Sequence, residues 1–237
     1  MQKTGIPHVA IECEGEKAQR SALFVLGGRE PDAAWFAAAA KGREVWAADR
    51  GVEICRKAGV IPDMLIGDCD SAARESWEWA GALGVPCEKF PSDKDLTDFQ
   101  LAVKIFCERN KNAAKKIFLT GAWGGRFDHL WSVVISFLNF PAPHVPFCVA
   151  DEREGLALLA GAEEMKFTFD GKPKALSLIS FSERCEGVSI RGARWPLENV
   201  ELCYAFPYAL SNRLVDGVDA LVSCGSGRLG FYWLWDE

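Results

Sequence analysis

The chain has few histidines, no paired cysteines and no long apolar run. It contains 3 histidines and 9 cysteines in 237 residues, and no two cysteines form a C-x-x-C pair, which argues against a structural zinc site. Single cysteines scattered through apolar stretches are typical of a reducing compartment, so we predict a cytoplasmic protein. No apolar stretch reaches the length of a membrane span, and the first residues lack the apolar segment of a signal peptide; no membrane partner is expected.

Acidic residues outnumber basic residues in this sequence. Lys and Arg total 27 against 33 Asp and Glu, which gives a formal net charge of −6. Without a basic stripe, the sequence argues against duplex nucleic acid as a partner. The charge balance leaves open a nucleotide that is bound through a metal ion.

The first two thirds of the chain alternate between short apolar strands and helices. Strands are predicted at residues 22–26, 44–48, 64–67, 85–90 and 116–120, and helices at 32–40, 52–57, 72–83, 96–108 and 128–138. Asp32 is the predicted N-cap of the first of these helices. Alternation at this spacing predicts an α/β domain, residues 1–150, with a mostly parallel, Rossmann-like sheet and helices on both faces.

The pattern changes after Asp151. Segments 165–170 and 200–206 alternate large apolar residues with polar ones, and glycines and prolines separate further short runs. We therefore predict that residues 151–237 form an all-β sandwich or jelly-roll-like domain. Residues 1 to about 20 show little pattern.

Acidic and glycine-rich segments follow the predicted strands. The apolar run 64–67 leads directly into Asp68 and Asp70, Asp49 follows the preceding strand, and a glycine-rich segment begins at Gly121. In an open parallel sheet the carboxyl ends of the strands line one crevice, where ligands bind. Two carboxylates this close together are costly unless a cation lies between them, so we predict a divalent metal carrying a polyphosphate.

Structural roles for these acids are the alternative. Asp70 or Ser71 could cap the next helix, and Asp95 with Asp98 fits an N-cap followed by a first-turn acid. We favour capping for Ser71 and Asp95, and leave Asp98 open between the two roles. For Asp68 and Asp70 we favour metal binding, because capping needs only one acid.

The segment 121–129 has a similar ambiguity, because glycine-rich turns before helices are common. Here Arg126 and Asp128 follow the glycines at a helix start, which suits phosphate binding by backbone amides and a guanidinium. The segment is neither a Walker A loop nor G-x-G-x-x-G. His129 is interpreted as a surface or packing residue.

Taken together, these segments resemble the thiamine pyrophosphokinase family. The matching stretches, in family order, are 48–49, 62–71, 93–98, 124–129, 186–188, 192–197 and 210–212. Two positions depart from the family pattern. Arg50 stands where the family usually has Gly, and Arg213 follows the Ser211-Asn212 pair where Glu or Thr is usual.

The resemblance implies transfer of an intact diphosphate from ATP to the hydroxyl of thiamine, with release of AMP. It also implies a homodimer with thiamine bound between the subunits. Mg²⁺ is the expected metal, with Asp68, Asp70 and Asp98 as its ligands, and these three residues with Arg126 are the candidate catalytic residues. The candidate ATP-binding residues are Asp49, Lys94, Thr97, Gly124, Gly125, Arg126 and Asp128.

Thiamine binding is assigned by the same resemblance to Ser211 and Asn212. Because thiamine is a cation with a flat pyrimidine ring, we also expect an aromatic contact, and Trp233 near the C-terminus is the candidate.

Three other functions remain open from the sequence. A diphosphokinase for another alcohol, such as a hydroxymethylpterin, would use a similar scaffold. A phosphatase of the haloacid dehalogenase type also has Asp-x-Asp after an apolar strand, although its usual Thr or Val is Ala72 here. A regulatory protein that binds Mg-nucleotide without turnover would use the same residues.

Overall fold

The computed structural model describes residues 2–13, 20–67, 72–90, 95–111, 113, 115–139 and 147–235. The chain divides into two compact units. The α/β unit contains residues 18–141 and 149–151, and the β-rich unit contains residues 1–17, 142–148 and 152–237. The predicted succession of an α/β part and a β-rich part is confirmed, except that residues 1–17 group with the β-rich unit.

The described residues form fifteen strands and five helices. In chain order they are β1 (Gln2–Ile6), β2 (Val9–Cys13), β3 (Arg20–Val25), α1 (Ala33–Ala40), β4 (Glu44–Ala48), α2 (Gly51–Lys57), β5 (Met64–Gly67), α3 (Arg74–Ala82), β6 (Cys87–Lys89), α4 (Asp98–Arg109), β7 (Lys115–Thr120), α5 (Phe127–Asn139), β8 (Phe147–Ala150), β9 (Glu154–Ala160), β10 (Glu163–Phe169), β11 (Ala175–Ser180), β12 (Cys185–Arg191), β13 (Leu197–Leu202), β14 (Ala220–Cys224) and β15 (Arg228–Leu234). Among the described helices, none combines the length and apolar content that crossing a membrane requires.

The α/β unit is built on a sheet with the strand order β8-β7-β3-β4-β5-β6. The four pairings from β7 across to β6 are all parallel, as the alternation of strands and helices predicted. β4 and β5 are buried along almost their whole length. Parallel strands covered by helices on both faces have this burial pattern, which explains why the two strands are continuously apolar in sequence.

An aromatic cluster holds α4 against the sheet. Phe106 contacts both Phe24 of β3 and Trp46 of β4, with ring centroids 5.7 Å apart in each pair, and Phe99 lies 6.3 Å from Phe24. These four side chains are buried. Their packing fixes the position of the α4 N-terminus, where Asp98 begins the helix.

The strands described in the β-rich unit pair antiparallel. One group of strands has the order β1-β2-β10-β14-β12-β13, and β11, β15 and β9 lie side by side in that order. Phe167, Phe231 and Trp233 pack together in its core. The predicted strand over 200–206 is shorter than expected, because β13 ends at Leu202 and the chain turns back through a bridge between Cys203 and Phe206.

The first residues form a hairpin that the sequence analysis missed. β1 and β2 pair from Gln2 with Cys13 to Ile6 with Val9, and β2 pairs in turn with β10. His8 makes the turn with a φ of 67°. The signal was present: Val9, Ile11 and Cys13 alternate with less buried neighbours, and all three are buried.

Candidate active site

The segments that follow β3, β4 and β7 meet at the carboxyl edge of the sheet in the α/β unit. The Leu26 amide donates to the Thr120 carbonyl over 2.9 Å, and the Gly28 amide donates to the Gly121 carbonyl over 2.6 Å. The amide of Arg29 donates to the Trp123 carbonyl, also over 2.6 Å. The loop after β3 is therefore bonded by its backbone to the glycine-rich loop after β7.

Glycine is required where these backbones touch. A Cβ on Gly51 would lie 2.0 Å from the Val25 carbonyl oxygen, and one on Gly121 would lie 2.1 Å from the Leu26 carbonyl oxygen. Gly121 also has a φ of 69°, which glycine adopts without strain. The edge is consequently a rigid platform of packed main chain.

Asp49 lies at this edge beside the end of β5. Its amide donates to the Ile66 carbonyl over 3.0 Å, and a Cβ on Gly67 would lie 2.7 Å from the Asp49 Oδ1 atom. Asp49 has a φ of 50°, and a non-glycine residue in this region is a source of strain that clusters at functional sites. Its carboxylate is thus next to the residue that precedes Asp68.

Arg50 replaces the usual glycine of the family without a conformational penalty. Its φ of −66° and ψ of −7° are those of a right-handed helix, which any residue adopts. The Arg50 side chain is 58% exposed and lies 3.6 Å from Glu53. A glycine is needed at the next position instead, where Gly51 touches β3.

Gly124 and Gly125 both have left-handed backbones, with φ values of 68° and 67°, and lead into the start of α5. There the Arg126 guanidinium donates two hydrogen bonds to the Asp128 carboxylate, Nε to Oδ1 over 3.0 Å and Nη2 to Oδ2 over 2.5 Å. The hydrogen bonds from Arg126 lower the pKa of Asp128, and the same contact raises the pKa of Arg126.

Thr97 and Asp98 stand at the start of α4. Thr97 Oγ1 accepts from the Gln100 amide over 3.2 Å, and Gln100 Oε1 accepts from the Thr97 amide over 2.9 Å, which makes a capping box. The prediction that Asp95 caps α4 was therefore wrong. The N-cap is Thr97, because Thr97 and Gln100 each accept a hydrogen bond from the other's backbone amide. Asp98 lies in the first turn of α4, the position of its structural alternative, and its role as a metal ligand stays a prediction.

The remaining predicted residues of this site, Asp68, Asp70, Ser71 and Lys94, lie outside the described residues. The N-cap of α3 is Ala73, whose side chain makes no capping hydrogen bond. Within the described ranges no group of three or more His, Cys, Asp or Glu side chains is arranged to hold a metal.

A pocket of about 250 Å³ lies within the β-rich unit. It is mainly apolar and is lined by Leu176, Ser177, Leu178, Ile190, Trp195, Leu197, Tyr208, Ala209, Leu210 and Asn212. Ser211, with a φ of 58°, is exposed, and its amide donates to Ser177 Oγ over 3.0 Å. The Ser211-Asn212 segment is thereby fixed at the rim of this pocket.

The Asn212 side chain is hydrogen-bonded to Trp195. Its Oδ1 accepts from the Trp195 amide over 3.1 Å, and its Nδ2 donates to the Trp195 carbonyl over 2.7 Å. The Trp195 ring is 54% exposed, and the Arg194 guanidinium lies 5.1 Å from its centroid. Asn212 therefore holds the main chain of Trp195, a residue with an exposed side chain, beside the pocket.

The structure contradicts the expectation that Trp233 stacks on a ligand. Trp233 is 0% exposed and lies among Phe167, Phe169 and Phe231, and a Cβ on Gly155 would lie 2.1 Å from its ring. The reason is its place in β15, where it occupies an inward position of an alternating strand.

Sequence analysis also missed two residues of the sheet edge. Arg29 follows Gly27-Gly28, and its guanidinium binds the buried carboxylate of Asp151, which directly follows β8. The two residues are 122 positions apart, so no local pattern indicates the pair. Their positions in the sequence could have indicated a role at the site, because each residue follows a strand that ends in the α/β unit.

Comparison with known proteins gives two matching family models. The thiamin pyrophosphokinase catalytic domain matches residues 38–149, and the thiamin pyrophosphokinase vitamin B1 binding domain matches residues 164–229. Together the two models cover most of the chain, and they fall on the α/β part and the β-rich part respectively.

Curated relatives and solved structures agree with these matches. Thiamine pyrophosphokinase of Bacillus subtilis is 23% identical over 167 residues, which cover 70% of this chain and 76% of that protein. Thiamin pyrophosphokinase 1 of Caenorhabditis elegans is 26% identical, covering 70% and 68% of the two chains.

The crystal structure of the B. subtilis enzyme has the same fold, with a TM-score of 0.79 at 22% identity over 92% of this chain and 100% of that one. Yeast thiamin pyrophosphokinase gives a TM-score of 0.76 at 14% identity, covering 93% and 87%. This chain belongs to the thiamine pyrophosphokinase family.

Proposed function

We propose that the protein transfers a diphosphate group from ATP to the hydroxyl of thiamine, giving thiamine diphosphate and AMP. The observation that carries this proposal is the match of both family domains, in order, to residues 38–149 and 164–229. The carboxyl edge of the α/β unit supports the nucleotide half of the reaction, and the pocket beside Asn212 supports the thiamine half.

The reaction forms one bond and breaks one. The thiamine hydroxyl oxygen attacks the β-phosphorus of ATP, the bond from that phosphorus to the oxygen bridging to the α-phosphorus breaks, and AMP leaves with that oxygen. The hydroxyl proton passes to a carboxylate at the site. Such transfers ask the protein mainly to position the reactants and to neutralise charge. The proposed nucleotide contacts at the start of α5 are Gly124, Gly125, Arg126 and Asp128. Asp49, Lys94 and Thr97 are proposed as further contacts.

The donors available at this edge fit Mg²⁺. Asp49 lies against the end of β5, and Asp98 begins α4; carboxylate oxygens of this kind are the ligands that Mg²⁺ prefers. Asp68, Asp70 and Asp98 are the proposed ligands. When bound, Mg²⁺ neutralises charge on the phosphate oxygens.

Thiamine is proposed to bind in the pocket of the β-rich unit. Its flat pyrimidine would stack on Trp195, whose main chain is held by Asn212, and its cationic thiazolium favours an aromatic neighbour. Ser211 is exposed and directly precedes Asn212, which lines the pocket. Trp195 thus takes the role that the sequence analysis gave to Trp233.

The broader features form part of the same proposal. We propose that residues 1–150 form a Rossmann-like domain that binds the nucleotide and the metal. Residues 151–237 are proposed to form a jelly-roll-like domain that binds thiamine. The exposed aromatic and apolar side chains around Trp195, among them Phe206 and Tyr208, suit the interface of a cytoplasmic homodimer.

The test is product analysis with purified protein, ATP, MgCl₂ and thiamine. We expect AMP and thiamine diphosphate in equal amounts, with turnover abolished by EDTA and restored by excess Mg²⁺. ADP or inorganic phosphate as the sole product would overturn the proposal. A parallel reaction with a hydroxymethylpterin in place of thiamine separates this activity from a diphosphokinase for another alcohol, and AMP formation only with the pterin would contradict thiamine as the substrate.

A further inference from the structure

Arg29 lies against the glycine-rich loop that precedes α5. Its amide donates to the Trp123 carbonyl over 2.6 Å, and a Cβ on Gly124 would lie 3.2 Å from the Arg29 Cβ. Arg29 also follows β3, the strand that pairs with both β7 and β4. The residue is therefore at the centre of the carboxyl edge, beside the segment to which phosphate binding is assigned.

The guanidinium of Arg29 is held by a buried carboxylate. Nε and Nη2 lie 2.8 and 2.6 Å from the same Asp151 oxygen, Oδ2. The Asp151 side chain is 1% exposed and that of Arg29 is 25% exposed. Two contacts to one oxygen fix the plane of the guanidinium, so little side-chain freedom is left to lose when a ligand binds.

A contribution to folding stability is a weak explanation for the ion pair between Arg29 and Asp151. A buried ion pair gains about as much from attraction as it loses by leaving water, and an apolar pair of similar size often serves as well. A fixed, partly shielded cation beside a phosphate loop has a clearer use, since charge-assisted hydrogen bonds to phosphate are strong and an arginine fork suits them.

The charge balance of the edge points the same way. The Asp49 carboxylate lies at this edge, and the ATP polyphosphate is itself an anion. Three described arginines lie at this edge. The side chains of Arg50 and Arg126 are 58% and 72% exposed, whereas that of Arg29 is 25% exposed and is the most shielded of the three. Attraction to a phosphate is weakened less by water at such a site.

We propose that Arg29 binds the polyphosphate of ATP and that Asp151 is the positioning residue that aims it. This inference rests on the proposed function and adds to it a cation whose orientation is set within the sheet edge. Lysine at position 29 keeps the charge but cannot offer the planar fork, and Asp151→Asn keeps the size of the side chain but removes the charge that holds the guanidinium.

The experiment measures binding of Mg²⁺ with α,β-methylene ATP by calorimetry, together with KM for ATP, KM for thiamine, kcat and the thermal midpoint. Arg29→Met should raise the Kd of the analogue and the KM for ATP by about 10- to 100-fold, the loss expected for a charge-assisted hydrogen bond. The KM for thiamine should stay within about twofold, since the change removes a contact to the other substrate only. Arg74→Met is the matched control, because Arg74 is 91% exposed and pairs only within α3 with Glu78.

The conservative variants separate binding from structure. Arg29→Lys should recover part of the affinity for the analogue, and Asp151→Asn should weaken it while Arg29 is unchanged in sequence. An unaltered Kd in folded Arg29→Met would overturn the inference, as would a lowered thermal midpoint without any change in Kd. If Arg29→Met does not fold, folded Arg29→Lys decides: wild-type affinity contradicts the inference, and reduced affinity supports it.

Failure of this inference is distinguishable from failure of the proposed function. Calorimetry reports nucleotide binding whether or not thiamine diphosphate is formed. A wild-type protein that makes thiamine diphosphate while Arg29→Met binds the analogue normally would remove Arg29 from the site and leave the proposed function intact.

Discussion

The Arg126 guanidinium and the Asp128 carboxylate form a two-bond ion pair across the first residues of α5, with the side chains 72% and 62% exposed. Both residues were predicted to bind nucleotide. The pair shows that the fork of Arg126 is already oriented at the start of the helix, and that Asp128 is the residue that orients it.

This pair predicts a titration that depends on Arg126. The hydrogen bonds lower the pKa of Asp128, so the carboxyl should titrate below the usual value of about 3.9. Because the folded pKa is depressed, the stabilising contribution is complete above the ordinary pKa and is lost as the pH falls through the folded one. Arg126→Met should return the Asp128 pKa to its ordinary range, as followed by NMR of the carboxyl carbon; an unchanged midpoint would show that the pair does not persist in solution.

Asp70→Asn is expected to abolish turnover while the protein stays folded. The amide keeps the size of the side chain but removes the charge that a Mg²⁺ ligand needs. The measurement is AMP formation at several Mg²⁺ concentrations, with circular dichroism to confirm folding. Glu108→Gln, the same chemical change at an exposed position of α4, is the control and should keep full activity. Near-normal turnover of Asp70→Asn would remove this residue from the metal site.

Thr97→Ala should lower the free energy of unfolding by about 1 kcal/mol, because the helix start loses the side-chain oxygen that accepts from the Gln100 amide. Thr97→Ser keeps that oxygen and should retain most of the stability. Urea denaturation of the two variants checks the prediction. Equal loss in both would indicate that the methyl group, and not the capping oxygen, stabilises this turn.

Trp195→Ala should change thiamine binding, whereas Trp233→Ala should change the stability of the fold. Removing the exposed Trp195 ring should raise the KM for thiamine with a small change in thermal midpoint, since that ring lies at the pocket rim. Removing the buried Trp233 ring should cost about 3–5 kcal/mol of stability, because it leaves a cavity in the core. Kinetics and thermal denaturation measured side by side distinguish them. A KM for thiamine that Trp195→Ala leaves unchanged would contradict the proposed stacking contact.

The sequence predicted the α/β unit well because its signals are local. A continuous apolar run of four residues, such as 64–67, is too short for a helix and was correctly predicted to be a strand. Asp32 was correctly predicted to cap α1, where its Oδ1 accepts hydrogen bonds from two backbone amides. The error at α4 was also local, since two candidate caps, Asp95 and Thr97, lie two residues apart. The reciprocal bond from Gln100 decides between them.

Features set by distant contacts could not be predicted in this way. The chain contains 9 Trp, and only the packing of β15 against other strands tells that Trp233 is buried while Trp195 is exposed. Arg29 and Asp151 are brought together by the strand order of the sheet, which no periodicity specifies. The N-terminal hairpin was missed for a related reason, since five-residue strands gain their stability from pairing with β10.

That hairpin joins residues 2–13 to a strand that lies about 150 residues further along the chain. β2 bonds along β10 from Cys13 opposite Met165 to Val9 opposite Phe169, so the first thirteen residues cover an edge that would otherwise present unpaired amides and carbonyls. Because β2 and β10 are separated by about 150 residues in the chain, this part of the sheet can form only after β10 has been synthesised and β2 has folded back onto it. Deleting β2 would leave that edge of β10 unpaired in the unit proposed to bind thiamine, and the resulting aggregation would lower measured activity without any change in the substrate pocket.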